Sequence, residues 1–163
     1  MIESFEPIAS KNSKILILGS MPSVISLNRH QYYGNRQNAF WKIIFELFDE
    51  ELADDYEKKK NLLIENRIAL WDVIRICERD GSSDSNIKNE EANDFETFFN
   101  TQKNIEAVFF NGKKAEEVFK KKVKGKANIP YEIIFKALPS TSPANVMKYE
   151  NKKREWEIIL KFL

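Results

Sequence analysis

KILILGSMPSVISLNRHQYYGNRQNAFW, residues 14–41, is the stretch on which the reading of the fold turns. Lys14 to Leu18 is continuously aliphatic after its first residue, as a strand buried on both faces of a parallel sheet should be. Gly19 ends it. A polar loop of about twenty residues follows before an apolar helix opens at Asn38, which is long for a connection inside a compact domain and marks a candidate functional segment. Its side chains, among them Asn28, His30, Gln31, Tyr32, Tyr33, Asn35, Gln37 and Asn38, are of the kinds that stack and hydrogen-bond.

Outward from this stretch the chain alternates helix and strand. Asn38 to Phe48 is apolar nearly all round and reads as a helix buried on most sides. Asp54 to Glu65 reads as a charged surface helix with Tyr56, Leu62, Leu63 and Ile64 turned inward and Asn66 ending it. Ile68 to Ile76 is expected as one aliphatic strand, and the segment from Arg79 to Asp94 as a polar loop. Phe95 to Phe99 is a short amphipathic turn of helix, Ile105 to Phe110 a buried strand, and Lys113 to about Lys122 a helix. Glu132 to Ala137 follows as a strand after the breakers Gly125 and Pro130. The last helix carries Trp156, Ile159, Leu160 and Leu163 at i, i+3, i+4 and i+7. This alternation predicts one α/β domain over 1–163, a three-layer α/β/α arrangement around a central four-stranded, mostly parallel sheet. Ligands of such sheets sit beyond the carboxyl ends of the strands. That places four stretches around one expected cleft: residues 19–38, the SSDSN segment at 82–86, NGK at 111–113, and LPSTSPAN at 138–145.

Composition narrows the function classes. At 163 residues the chain can bury a core without staples. No apolar run approaches a membrane span, and residues 1–12 lack the apolar centre of a signal peptide, so no membrane partner and a cytoplasmic location are expected. The single cysteine, Cys77, excludes an internal disulfide and a four-thiolate metal site; with His30 the only histidine, no metal and no cofactor are expected. Net charge is +1, but from Thr101 onward there are 14 Lys/Arg against 7 Asp/Glu. That basic third reads either as solvated helix faces or as a phosphate-contacting surface.

Gly19-Ser20-Met21-Pro22-Ser23 after the first strand, paired with LPSTSPAN after the last, resembles the two signature motifs of the uracil-DNA glycosylase superfamily. YYGNRQNAFW at 32–41, with LWDVIRICERDGSSDSNI at 70–87, resembles its hypoxanthine-DNA (DNA-deoxyinosine) glycosylase branch. The resemblance runs from Ile15 to Trp156. It implies a metal-free, monomeric base-excision repair enzyme whose partner is DNA containing a deaminated base, which it flips out and cleaves from the sugar. Such cleavage makes an oxocarbenium-like sugar and an anionic base, and calls for donors aimed at the base and a held water in a dry site.

The resemblance also suggests roles. Gly19, Ser20 and Met21 would line the base pocket, although many branches carry Asn or Asp where this chain has Met21. The water-positioning role then falls to Asn38, which resembles an Asn before Phe-Trp in the mismatch-specific uracil glycosylases; Asn38 reads equally as a helix N-cap. Tyr33 aligns with the aromatic that stacks on the flipped base, a contact worth roughly 1–3 kcal/mol, or packs beneath the loop. Gly34 allows close backbone approach to the base, or simply turns. Asn35 and Arg36 depart from the His-Pro or Asn-Pro of relatives. Asp84 and Asn86, with Ser85 between them, read the base edge, touch the DNA backbone, or cap the next segment. Ser140, Thr141, Ser142, Pro143 and Ala144 resemble the loop that wedges into the minor groove, or form an ordinary turn leading into a helix, and Lys113 at a helix start reads as a solvated lysine or as a phosphate contact. His30 reads as a loop-organising or phosphate contact; Trp41, Trp71 and Cys77 read as core. Three other readings stand beside hypoxanthine excision: a mismatch-directed uracil or thymine glycosylase, a non-catalytic DNA-lesion binder, and a nucleotide-binding α/β protein unrelated to DNA.

Overall fold

A computed structural model describes residues 1–163. Its strands are β1 (Ile2–Glu3), β2 (Ile15–Gly19), β3 (Ile68–Asp72), β4 (Ile74–Glu78), β5 (Lys88–Ala92), β6 (Ala107–Asn111) and β7 (Ile134–Leu138). Its helices are α1 (Val24–Arg29), α2 (Phe40–Leu47), α3 (Tyr56–Glu65), α4 (Phe95–Thr101), α5 (Lys113–Lys122) and α6 (Tyr149–Trp156). The central sheet has the order β3-β2-β6-β7, and every pairing in it is parallel. Alternation along β2 sorts the core into two layers. Ile15 and Ile17 face α2, α3 and α6 through Phe40, Ile43, Leu63 and Trp156. Leu16 and Leu18 face α4 and α5 through Phe95, Phe98, Val118 and Phe119. The expected three-layer class and four-stranded parallel sheet are both present. No helix is long and apolar enough to cross a membrane.

Several sequence expectations are corrected. Ile68 to Ile76 is two strands rather than one: the Val73 N–H makes the last bond of the β2–β3 ladder, to the Gly19 carbonyl at 2.8 Å, the chain bends at Val73, and β4 leaves to join a separate antiparallel sheet of order β1-β4-β5. Part of the expected polar loop at 79–94 is β5, which the antiparallel partner β4 holds despite its polar sequence. The loop after Gly19 contains α1, capped by Ser23 Oγ accepting from the Ser26 N–H. Ile64 is 38% exposed, because the inward face of α3 is carried by Leu62 and Leu63. The C-terminal helix tightens to a 3₁₀ turn over Glu157–Phe162, so Trp156 and Ile159 stay buried while Leu160 swings outward.

Candidate active site

The carboxyl ends of β2, β3, β6 and β7 open into one cleft of about 1070 Å³. All four expected stretches line it: residues 19–23, 82–85, 111–114 and 137–145, together with Tyr33, Asn38 and Asp72.

The first loop is lashed down on three sides. Trp41 Nε1–H donates to the Tyr32 carbonyl at 2.8 Å, and the Tyr32 hydroxyl donates to the Glu6 carbonyl at 2.7 Å. Ser20 Oγ–H donates to Asp84 Oδ1 at 2.8 Å. Arg79 ties both cleft walls, donating to the Pro22 and Gly81 carbonyls at 2.7 and 2.8 Å. Met21 is 7% exposed and packs in the core beside Leu16 and Leu18, so the apolar residue of this motif is held by the interior.

Tyr33 reaches the cleft from a left-handed backbone at φ 52°. One face of its ring stacks on Phe40, centroids 4.2 Å apart, and its hydroxyl accepts from Asn111 Nδ2 at 3.0 Å. Burial, then the neighbouring Asp72, pushes its phenol above the ordinary tyrosine range. Asn111 also donates to Thr141 Oγ1 and accepts from the Thr141 N–H, both at 2.9 Å, and the Thr141 carbonyl accepts from the Ala39 N–H at 3.0 Å. Three loops are clamped through this one amide.

Asn38 is half-buried on the cleft wall. The N-cap of α2 is Ala39, which makes no side-chain cap bond; Asn38 supplies it from one residue upstream, its Oδ1 accepting from the Phe40 N–H at 2.9 Å. An amide oxygen has two lone pairs, so a second can still face the cleft. The last loop is braced from behind, since Trp156 Nε1–H donates to the Pro139 carbonyl and Lys152 Nζ to the Ser142 carbonyl.

Two expected site residues, Gly34 and Asn86, lie outside the cleft lining, and Thr141 lines it from a buried position. Gly34 is buried away from the cleft, its N–H bonded to Ser26 Oγ and its carbonyl to Arg29, so it holds the loop on α1 and offers no backbone approach to a ligand. Asn86 stands outside, donating to the Asp80 carbonyl. Thr141 is buried with its hydroxyl turned to Asn111, which makes it a clamp and leaves Ser140, Ser142, Pro143 and Ala144 at the rim with Lys113. His30 caps α1 and packs against Phe5.

Sequence reasoning passed over Asp72, Arg79 and Val146, and placed Asn111 at the cleft within NGK without giving it a role. Asp72 is 4% exposed, and its Oδ2 is buried without a hydrogen-bond partner. Burial, reinforced by Asp84 and partly offset by Arg79, pushes its carboxyl up to about 7. A polar residue ending each of two apolar strands, IALWD and AVFFN, was the available signal for Asp72 and Asn111. Val146, just past the LPSTSPAN loop, is 95% exposed. No group of three or more His, Cys, Asp or Glu is placed to hold a metal ion.

Comparison with known proteins agrees with this geometry. Residues 6–162 match the model of the family described as the uracil DNA glycosylase superfamily. A protein of Methanosarcina acetivorans named hypoxanthine DNA glycosylase is 41% identical over 158 residues, 96% of each chain. One of the same name from Methanosarcina barkeri is 36% identical over 162 residues, 94% of each chain. A solution NMR structure from Methanosarcina acetivorans, described as that of a candidate uracil DNA glycosylase, superposes with a TM-score of 0.83 at 39% identity, covering 98% of this chain and 96% of that one. With a family match over nearly its whole length and relatives this similar, the chain belongs to the uracil DNA glycosylase superfamily.

Proposed function

We propose that this protein is a DNA glycosylase that extrudes hypoxanthine from DNA and hydrolyses its bond to deoxyribose. The observation that carries the reading is 41% and 36% identity, over nearly the full length, to proteins named for that activity. The cleft supports it: a purine fits its volume, and its walls supply an aromatic surface, a half-buried amide and a hydroxyl-rich rim.

In this reading Tyr33, backed by Phe40, is the surface on which the extruded base stacks. Asn38 uses the carbonyl lone pair that Phe40 leaves free to hold the water that attacks the sugar. Once the glycosidic bond is largely broken the sugar is electrophilic enough that positioning suffices, so Met21 in the first motif is compatible with turnover. Ser140, Ser142, Pro143 and Ala144 meet the DNA backbone through hydroxyls and backbone amides, and Lys113 and Lys114 at the start of α5 add charge at the rim. Asp84, bonded to Ser20, keeps the two walls of the base pocket in register. A second reading, uracil release, is favoured by the description of the NMR neighbour.

Single-turnover base release from oligonucleotides carrying hypoxanthine, uracil or xanthine, single-stranded and opposite each normal base, separates these. Fastest release of hypoxanthine at every pairing is the expected result. Release of uracil alone, chiefly opposite guanine, replaces this reading with the mismatch-directed one, and intact strands despite salt-sensitive duplex binding would make the protein a lesion binder.

A further inference from the structure

Asp72 is the last residue of β3, beside Gly19 at the end of β2, and the two are register partners. It lines the cleft floor, yet its Oδ2 has no hydrogen-bond partner. Buried polar atoms are nearly always paired, so an orphaned oxygen on a carboxyl whose residue lines a ligand-sized cavity points to a partner that arrives with the ligand, reached by a turn of the carboxyl. Gly19 makes room for it, since a side chain there would strike the carboxylate.

We propose that Asp72 contacts the extruded purine and delivers a proton to one of its ring nitrogens as the glycosidic bond breaks; this rests on the glycosylase reading above. A carboxyl is acceptor-only when ionised, but gains an O–H donor when protonated. In the step, the carboxyl O–H bond breaks and a ring N–H forms. The N9–C1′ electron pair withdraws onto the base, which leaves neutral. Water adds to C1′ of the sugar cation, and the proton it sheds restores the carboxyl through solvent. Hydrolysis is thereby balanced without any further reagent.

The surroundings favour holding that proton. Burial disfavours the carboxylate, and the like charge of Asp84 adds to it, while the Arg79 guanidinium opposes them. The charge of this carboxyl also acts on the phenols of Tyr33, Tyr32 and Tyr56; each phenol is itself held above its ordinary range, so none is a competing anion near neutral pH. The carboxyl therefore titrates at about 7, where a general acid is most effective.

The test is the pH profile of single-turnover hypoxanthine release by the wild-type protein and by Asp72→Asn, with folding checked by near-UV circular dichroism. The expected wild-type rate is level below about pH 7 and falls above it, while Asp72→Asn is about a hundredfold slower and lacks that limb. A variant that works at the wild-type rate, or keeps the limb, overturns the proposal. So does a wild-type rate independent of pH between about 5.5 and 8.5, a result that stands even if the variant does not fold. A wild-type protein that releases no hypoxanthine at any pH overturns the underlying reading and this one with it.

Discussion

A Cβ added to Gly19 would stand 2.6 Å from Oδ1 of Asp72, its register partner on the neighbouring parallel strand, and 2.9 Å from the Tyr33 hydroxyl. Both contacts are closer than real Cβ atoms tolerate, and both neighbours form the cleft. Gly19→Ala is therefore expected to displace Asp72 and Tyr33 together. Overpacking of this kind costs about 1–3 kcal/mol. Base release should fall by about tenfold or more, and a thermal melt and a single-turnover assay on the same preparation would check both. An active, unshifted Gly19→Ala protein would show that the two side chains have room to retreat.

The buried carboxyl also predicts a pH dependence of stability. Asp72 titrates at 3.8 when unperturbed and at about 7 in the fold, so between those values the folded state holds a proton that the unfolded chain releases. Its contribution to stability is complete below about pH 4 and is lost as the pH rises towards 7. Asp72→Asn has no such loss. Denaturant midpoints of the two proteins should diverge with rising pH, in favour of the variant; parallel curves would mean that the carboxyl is ionised in the native state.

The cap bond of Asn38 and its proposed water-holding role are separable by substitution. Asn38→Asp keeps an oxygen for the Phe40 N–H, whereas Asn38→Ala removes it at a cost of about 1 kcal/mol. If the amide also positions water, the alanine variant should be folded and slower by two orders of magnitude or about that. The aspartate variant should retain wild-type stability. Wild-type turnover by Asn38→Ala in a single-turnover assay would reduce the residue to a cap.

Val146 is a β-branched apolar residue 95% exposed beside the loop that rims the cleft. Apolar wedges of this kind enter a base step that has been unstacked. Replacing Val146 with Ser should slow release from duplex by about tenfold and leave release from single strands unchanged, since single strands have no stack to hold open. Equal loss on both substrates would show that the residue acts on loop structure instead.

How much of this was legible in the sequence depends on whether local pattern or distant pairing decides each element. Aliphatic runs at Ile15–Gly19 and Ala107–Asn111 can be satisfied only by burial on both faces, so the parallel sheet, its helical layers and the convergence of the loops at its carboxyl edge follow from the chain itself. The motifs at residues 19–23 and 138–145, and the Tyr33–Asn38 stretch between, were likewise readable as a set. Other features were not. The run from Ile68 to Ile76 is interrupted in sequence only by Asp72 and Arg75, and it becomes two strands because the chain bends at Val73 and β4 pairs with β1 and β5 instead of the central sheet. Lys88–Ala92 has no apolar alternation and is a strand because β4 pairs with it. Thr141 and Gly34 look like ligand contacts in a polar loop until Asn111, 30 residues from Thr141 in sequence, and Ser26 claim their hydrogen bonds. Asp72 is the clearest case: in sequence it is one carboxylate after an aliphatic run, whereas its lost hydration and its neighbours Asp84 and Arg79 exist only once three separate segments have packed together. Patterns of period two and 3.6 fix which faces are buried, but desolvation and the partners of a polar atom are properties of the assembled neighbourhood, and those the tertiary structure alone decided.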